Sequence, residues 1–248
     1  MGKTYEALER AEKEYQENIL DPSLQTPPTH VPPPPRRAST PAAMERYDDL
    51  KTNLLTRQAN GPVKTILFAG TTHGDGCSTT AVNFAAALAK NSKVKVLLIE
   101  VNLRTPSLHD VFKIDHIQGV SELISGDGEM ASKIKKVEPG NLYVLPCGGN
   151  HSDPVCLFES TRFDQLLELM SKEFDYIILD GPPVPVFSEG RVLSAKVGGI
   201  VLVVESGKTR RQVALRAKKQ LEAAGGQVLG VVLNRRKHYI PDWIYRRL

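Results

Sequence analysis

A glycine-containing loop between a predicted strand and a predicted helix is the feature that most constrains the fold of this chain. The apolar run Thr65–Phe68 predicts a strand, and the apolar periodicity of Ala81–Ala89 predicts a helix. Between them, Gly74 and Gly76 permit a tight turn whose backbone N–H groups face inward, an arrangement that binds phosphate at a helix N-terminus. The chain is therefore expected to contain the strand–loop–helix unit of a nucleotide-binding fold.

The same loop lacks the lysine that would contact the β- and γ-phosphates. In the pattern G-x-x-x-x-G-K-[ST], the lysine position is Cys77 and the first glycine position is Thr71. We expect this loss to weaken nucleotide binding by ~2–4 kcal/mol, the usual cost of truncating one partner of a buried charge pair. Catalysis is expected to fall further, because charge stabilisation matters most in the transition state. The residues predicted to bind nucleotide are Gly74, Asp75, Gly76, Cys77, Ser78 and Thr79.

The remaining hydrophobic pattern predicts an α/β fold. Continuous apolar runs separated by helix-like stretches indicate a doubly wound, mostly parallel sheet of the P-loop NTPase type, with helices on both faces. In such sheets ligands bind at the carboxyl ends of the strands, where the glycine loop also lies. The predicted strands are Thr65–Phe68, Val94–Ile99, Leu142–Leu145, Tyr176–Leu179, Ile200–Val204 and Val228–Leu233.

Four regions are predicted along the 248 residues. Residues 1–20 form an amphipathic helix, because apolar residues recur at steps of three and four. Residues 21–42 are a proline-rich, extended linker. Residues 43–234 form the P-loop NTPase-like domain, and residues 235–248 form a basic, aromatic tail.

Charge and composition exclude several classes of protein. The tail carries five basic residues and one acidic residue, which gives it a charge of +4. This equals the net charge of the whole chain, so the body is close to neutral. A nucleic-acid-binding face is therefore not expected. No apolar run approaches the ~18 residues of a transmembrane helix. The three cysteines are expected to be reduced thiols of a cytosolic protein.

Two residues outside the glycines complete a predicted nucleotide site. Ser78 falls where the hydroxyl ligand of Mg²⁺ belongs in loops of this class. Asp180 follows the apolar run Tyr176–Leu179 and is expected to place a carboxylate beside the same strand ends.

Several segments resemble the bacterial tyrosine kinases that control capsule and exopolysaccharide chain length. Val96–Leu108 is similar to the family's second acidic motif, an apolar strand that ends in Asp-x-Asp-x-Arg-x-Pro-x-Leu. Asp180–Val184 is similar to its Asp-x-Pro-Pro motif, and Val228–Asn234 to its last strand. Met1–Glu12 looks like the N-terminal segment of stand-alone cytosolic members, and Tyr47–Leu54 looks like the helix before the domain.

The departures from the family pattern are concentrated at the residues of its chemistry. The two aspartates of the second motif, which in the family bind metal or accept the hydroxyl proton, are Glu100 and Asn102 here. Glu100 adds a methylene, and a positional error of ~1 Å can cost ~100-fold in rate. Asn102 can neither act as a base nor neutralise a metal. The resemblance implies Ser78, Glu100 and Asp180 as metal ligands, with Asp180 and Glu100 as catalytic residues if the chain is active.

Two further departures concern compensation and assembly. Arg104 and Lys208 are the candidates for a cation that replaces the missing lysine, as is an arginine from another subunit. The family's oligomerisation motif, Glu-x-x-Arg-x-x-Arg, appears as Glu45–Lys51, where Asp48 reverses the charge of one arginine. A homo-oligomer is left open, but a ring of the family kind is not expected.

The sequence leaves three alternative functions, two from the resemblance to tyrosine kinases and one from a related class of phosphate-loop ATPases. The first is a degenerate kinase, with weakened binding of ATP or ADP and Mg²⁺, that regulates exopolysaccharide or capsule polymerisation through an inner-membrane co-polymerase (a chain-length determinant protein). Such a protein is cytoplasmic and peripheral to the membrane. The second is an active ATP-dependent tyrosine autokinase that phosphorylates Tyr239 and Tyr245. The third is a partitioning or division-positioning ATPase, against which Thr72 argues, because that class carries an additional lysine there.

Overall fold

The predicted strands form one sheet. The structure, a computed structural model, describes residues 40–56, 63–91, 93–138, 140–149 and 153–236. The sheet of the described residues has the order β3-β4-β2-β5-β1-β6-β7, and all neighbours are parallel except β3 and β4. Its strands are β1 (Thr65–Gly70), β2 (Val96–Glu100), β3 (Lys135–Val137), β4 (Leu142–Leu145), β5 (Tyr176–Asp180), β6 (Gly199–Glu205) and β7 (Val228–Asn234). The predicted α/β, mostly parallel fold is confirmed.

Helices connect the strands and cover both faces of the sheet. One face is covered by the first three helices of the described residues, whose core includes Leu54, Phe84 and Leu108. The other face is covered by later helices through residues such as Phe163 and Leu221. The helices are α1 (Pro41–Thr56), α2 (Cys77–Ala89), α3 (Leu108–Phe112), α4 (Val120–Ser125), α5 (Met130–Lys133), α6 (Pro154–Glu159), α7 (Thr161–Glu173), α8 (Glu189–Ser194) and α9 (Arg211–Ala223).

Helix α2, which carries the glycine loop at its start, is the most buried helix of the first face. Its residues from Thr80 to Ala89 are buried except Ala86, because the sheet lies below it and α1 packs against it. The ring of Phe84 contacts that of Phe68 on β1, with centroids 5.2 Å apart. The carboxylate of Asp48 on α1 accepts a hydrogen bond from Lys90 at 2.7 Å. The residue that reverses the family charge pattern therefore ties α1 to the end of α2.

The structure differs from the sequence prediction at a few element boundaries. Helix α1 begins at Pro41, two residues before the predicted domain boundary, and the Thr40 hydroxyl accepts the N–H of Ala43 at its start. Strand β3 was not predicted, because Lys135–Val137 contains no apolar run. Its antiparallel pairing with β4 forms it, and its charged residues suit the edge of a sheet.

Parts of the predicted organisation lie outside the described residues. These are the helix predicted in residues 1–20, nearly all of the linker and the tail from residue 237 onwards. The described residues belong to one compact unit, Pro33–Leu248. Among them, we find no helix whose length and apolarity would suffice to cross a bilayer.

Truncating the aromatic residue that fastens α2 to the sheet tests this packing. Phe84→Ala should lower the free energy of unfolding by about 3–5 kcal/mol, because it leaves a cavity between α2 and β1. Urea denaturation followed by circular dichroism measures the change. Leu169→Ala, at a side chain that is 51% exposed, serves as the control and should change it by less than about 0.5 kcal/mol. Equal effects of the two variants would contradict the described core.

Candidate functional site

The glycine loop lies at the carboxyl end of β1, beside the ends of β5 and β6. Gly74 and Gly76 have φ angles of 86° and 84°, in the left-handed region that glycine adopts without the penalty of a Cβ. Helix α2 starts directly after Gly76, so its first N–H groups face the loop. Within the described residues, no acceptor is found for the N–H groups of residues 76–79. These four groups, the amide cradle, suit an anion such as a phosphate.

The side chain of Cys77 contacts the loop that follows β5. Its thiol donates to the carbonyl of Gly181 with an Sγ–O distance of 3.6 Å. Burial raises the pKa of this thiol well above its usual value, and the charges of Asp180 and Asp75 raise it further. The thiol is therefore protonated at pH 7 and provides neither a cation for phosphate nor a thiolate nucleophile.

Asp180 has no solvent exposure, and neither of its carboxylate oxygens has a partner with good hydrogen-bond geometry among the described residues. Burial raises the pKa of Asp180 to about 7; the nearby Ser78 hydroxyl and Cys77 thiol oppose this rise, and the charge of Glu100 adds to it. A buried carboxylate without donors gains most from a cation or a proton. The predicted placement of Asp180 beside Ser78 thus creates a position that suits a divalent cation.

Glu100 is aligned with Asp180 on the neighbouring strand, but its carboxylate is already occupied by backbone donors. One oxygen accepts the N–H groups of Ser107 and, at 2.7 Å, Leu108, and the other accepts the N–H of Cys147 at 3.3 Å. The side chain therefore joins the loop after β2 to the loop after β4. Its predicted role as a metal ligand or catalytic residue stays a prediction, and these contacts compete with that role.

Asn102 is also engaged locally. Its amide nitrogen donates to the Thr105 hydroxyl at 2.9 Å, and its amide oxygen accepts the N–H of Thr105 at 3.4 Å. This pattern stabilises the turn after β2, as asparagine side chains often do in turns. In this conformation Asn102 supports the loop of the second motif.

The two cations considered as replacements for the lysine are both paired with carboxylates. Arg104 donates to Glu189 at 2.6 Å and lies over the ring of Phe187, with its guanidinium carbon 4.8 Å from the ring centroid. The ammonium group of Lys208 is 3.2 Å from Glu205, and its side chain is 60% exposed. The described contacts of these two side chains therefore bring neither charge to the amide cradle.

His73 does not provide the missing charge either. Its ring packs edge-on against Phe187, with centroids 5.5 Å apart. Burial lowers the pKa of His73, and the charge of Asp75 opposes that effect. The histidine is therefore mainly neutral at pH 7.

Asp75, which was predicted to contact nucleotide, has its carboxylate directed into the loop itself. One oxygen accepts the N–H groups of Thr71 and Thr72 at 2.9 and 2.8 Å and the Thr71 hydroxyl at 2.5 Å. The other accepts the hydroxyls of Thr72 and Thr209 at 2.7 and 3.2 Å. The Asp75 carbonyl accepts the side-chain amide of Asn234 at 2.8 Å.

Sequence reasoning missed two residues of this site. Thr209 lies in the loop between β6 and α9, where no motif or periodicity identified it. Asn234 ends β7 and lies so close to the loop that a Cβ on Gly76 would be 2.0 Å from its amide nitrogen. The end of the last strand was a usable signal for Asn234, since ligands bind at strand ends. The predicted phosphoacceptors Tyr239 and Tyr245 lie outside the described residues.

Comparison with known proteins points to one family. The profile of the AAA domain family matches residues 63–195, more than half of the chain. Tyrosine-protein kinase CpsD of Streptococcus pneumoniae is 31% identical over 194 residues, which cover 78% of this chain and 84% of that protein. Tyrosine-protein kinase YwqD of Bacillus subtilis is 30% identical over 193 residues, which cover 78% and 81%.

Solved structures agree with the sequence relatives. The chimerical protein CapA2B2 matches with a TM-score of 0.76 and 25% identity, over 90% of this chain and all of that chain. The kinase domain of the Escherichia coli tyrosine kinase ETK matches with a TM-score of 0.73 and 27% identity, over 80% and 79%. MinD of Pyrococcus horikoshii in complex with Mg-ADP, at 20% identity and a TM-score of 0.59 over 74% of this chain and 76% of that chain, shares the fold.

The buried Asp180 should make stability depend on pH. The pKa of Asp180 is about 7 in the folded chain and close to 3.8 when solvated, so the folded state binds more protons between these values. Stability should therefore be lost as the pH rises from about 4 to about 7, by up to ~1.4 kcal/mol per pH unit. Asp180→Asn should remove this slope in urea denaturation between pH 5 and pH 8. Parallel slopes for the variant and the parent chain would contradict the assignment.

Proposed function

The chain belongs to the bacterial tyrosine kinase family, and we propose that it is a degenerate member whose phosphotransfer activity is lost or strongly reduced. On this proposal it regulates the polymerisation and export of an exopolysaccharide or capsule through an inner-membrane co-polymerase. It works from the cytoplasm and is held at the membrane by that partner. The observation that carries the proposal is that an uncharged thiol, which donates to the Gly181 carbonyl, takes the lysine position.

The charge distribution around the cradle supports the loss of catalysis. Phosphoryl transfer is accelerated mainly by positioning and by cations that neutralise charge on the transferred group. Here Cys77 is neutral, and Arg104 and Lys208 are paired with carboxylates. Asn102 carries no charge, and Glu100 accepts three backbone N–H groups. The replacements at Cys77, Glu100 and Asn102 affect different parts of the site, so reverting one of them is not expected to restore the rate of phosphoryl transfer.

The cradle retains features that fit a nucleotide with a divalent cation. The N–H groups of residues 76–79 suit a phosphate, and the unpartnered oxygens of Asp180 beside Ser78 suit Mg²⁺. When bound, the metal supplies the positive charge that the missing lysine does not. We propose weakened binding of ATP or ADP with Mg²⁺ at this position, in which Ser78 and Asp180 hold the metal.

Phosphate transfer by the purified chain tests the proposal. With γ-labelled ATP and Mg²⁺, the parent chain should place little or no phosphate on Tyr239 or Tyr245, as measured by mass spectrometry. The triple variant Cys77→Lys, Glu100→Asp, Asn102→Asp should gain transfer, and adding Asp180→Asn should abolish the gain. A dissociation constant for ATP below ~100 μM, combined with phosphotyrosine on the parent chain, would overturn the proposal.

An active autokinase is the second candidate, and Asp180 is the observation that favours it. This carboxylate is retained and buried, and neither of its oxygens has a partner with good hydrogen-bond geometry among the described residues, which leaves them available to a metal ion. In that case Asp180 holds magnesium, and a cation outside the described contacts replaces the lysine.

Polymer length in the native host distinguishes the two candidates. If regulation needs no phosphotransfer, a chain with Tyr239→Phe and Tyr245→Phe should maintain the same polymer length distribution on gels as the parent chain. If the chain is an autokinase, that variant should behave like a deletion of the gene. Equal cellular amounts of both proteins, checked by immunoblotting, are the control.

A further inference from the structure

The loop carries a network of hydrogen bonds with Asp75 at its centre. Asp75 is 1% exposed, and its carboxylate accepts two backbone N–H groups and three hydroxyl groups. A carboxylate with this many donors forms strong, charge-assisted hydrogen bonds. Four of these bonds come from Thr71 and Thr72, so they connect the start of the loop to its middle.

The network also joins the loop to two distant parts of the fold. Thr209, in the loop between β6 and α9, donates its hydroxyl to the carboxylate, 134 residues away in sequence. Asn234, at the end of β7, donates to the Asp75 carbonyl across 159 residues. The segment that carries the amide cradle is thereby fastened to elements on the β6 and β7 side of the sheet.

The two glycines that flank Asp75 explain why the loop needs these stabilising hydrogen bonds. Gly74 and Gly76 adopt positive φ angles, and glycine loses more conformational freedom on folding than other residues. Because the lysine is absent, this chain has no ammonium group in the loop that could gather phosphate oxygens and order the glycines. The cost of ordering the loop must then be met by contacts within the protein.

We propose that Asp75 is a positioning residue that holds the amide cradle in its phosphate-binding shape, and that Thr209 acts on the cradle through it. The ligand is a phosphate-bearing molecule. Only this identification of the ligand rests on the proposed function. Asp75 does not contact the ligand in this arrangement. It orders the N–H groups that do, and a change in the β6–α9 loop is transmitted to the cradle through the hydroxyl of Thr209.

Amide hydrogen exchange measures this effect in the full chain without ligand. Thr209→Val should accelerate exchange of the N–H groups of Thr71 and Thr72 by about three- to tenfold, as loss of one hydrogen bond of ordinary strength implies for a contact of 3.2 Å. Thr209→Ser retains the hydroxyl and should exchange like the parent chain. Asp75→Asn should accelerate exchange by at least about tenfold, and adding Thr209→Val should cause no further increase.

A matched control separates this role from a general loss of stability. Thr56→Val removes a hydroxyl that donates to the Thr52 carbonyl at 2.7 Å on α1, and it should leave exchange in the loop unchanged. Thr209→Val should lower the affinity for ADP with Mg²⁺ by a similar three- to tenfold, with no more change in the melting temperature than the control shows.

Two results would overturn the inference. One is parental exchange at Thr71 and Thr72 in Thr209→Val, and the other is additive acceleration in the double variant. Should Asp75→Asn fail to fold, the Thr209 variants alone decide the question. Hydrogen exchange is measured without nucleotide turnover. A failure of this inference is therefore independent of the detection of phosphotransfer, which would overturn the proposed function.

Discussion

The parallel pairing of β1, β5 and β2 brings three strand ends to one level, and the rest of the site depends on this alignment. Asp180 lies level with Phe68 on one side and Glu100 on the other. Helices cover both faces of the sheet, so the side chains at these ends are largely withdrawn from water. A carboxylate at such a position needs hydrogen-bond donors, a cation or a proton, because burial disfavours its charged form.

The three carboxylates near the loop meet this requirement in two different ways. Glu100 accepts backbone N–H groups from the loops after β2 and β4, whereas Asp75 accepts those of its own loop and the hydroxyl of the distant Thr209. The carboxylate of Asp180 accepts no backbone N–H group among the described residues, and burial raises its pKa to about 7. Two of the acidic groups thus stabilise loops, while the third retains the capacity to bind a cation. This division of roles supports the proposal of a site that holds a nucleotide weakly and transfers phosphate poorly.

Features that depend on local residue patterns were predicted from the sequence, whereas features that depend on contacts between distant segments were not. The apolar runs predicted β1, β2 and β5 to within two residues, because burial on both faces leaves a continuous hydrophobic signal. Strand β3 was missed, since a short charged edge strand forms through pairing with β4 and has no signal of its own. The placement of Asp180 was predicted from the topology of parallel strands. The partners of Glu100 and Asp75 were not, because they come from loops whose positions depend on the whole fold.

By itself, the sequence determined the strand–loop–helix unit, the parallel sheet and the absence of a lysine at Cys77, since these follow from residue type and periodicity. Only the tertiary structure decided where the side chains of Cys77, Glu100 and Asp75 point. The thiol contacts the Gly181 carbonyl 104 residues away, and the Asp75 carboxylate contacts the Thr209 hydroxyl 134 residues away. Hydrophobic periodicity indicates which residues are buried, whereas hydrogen-bond partners depend on which loops the sheet order brings together.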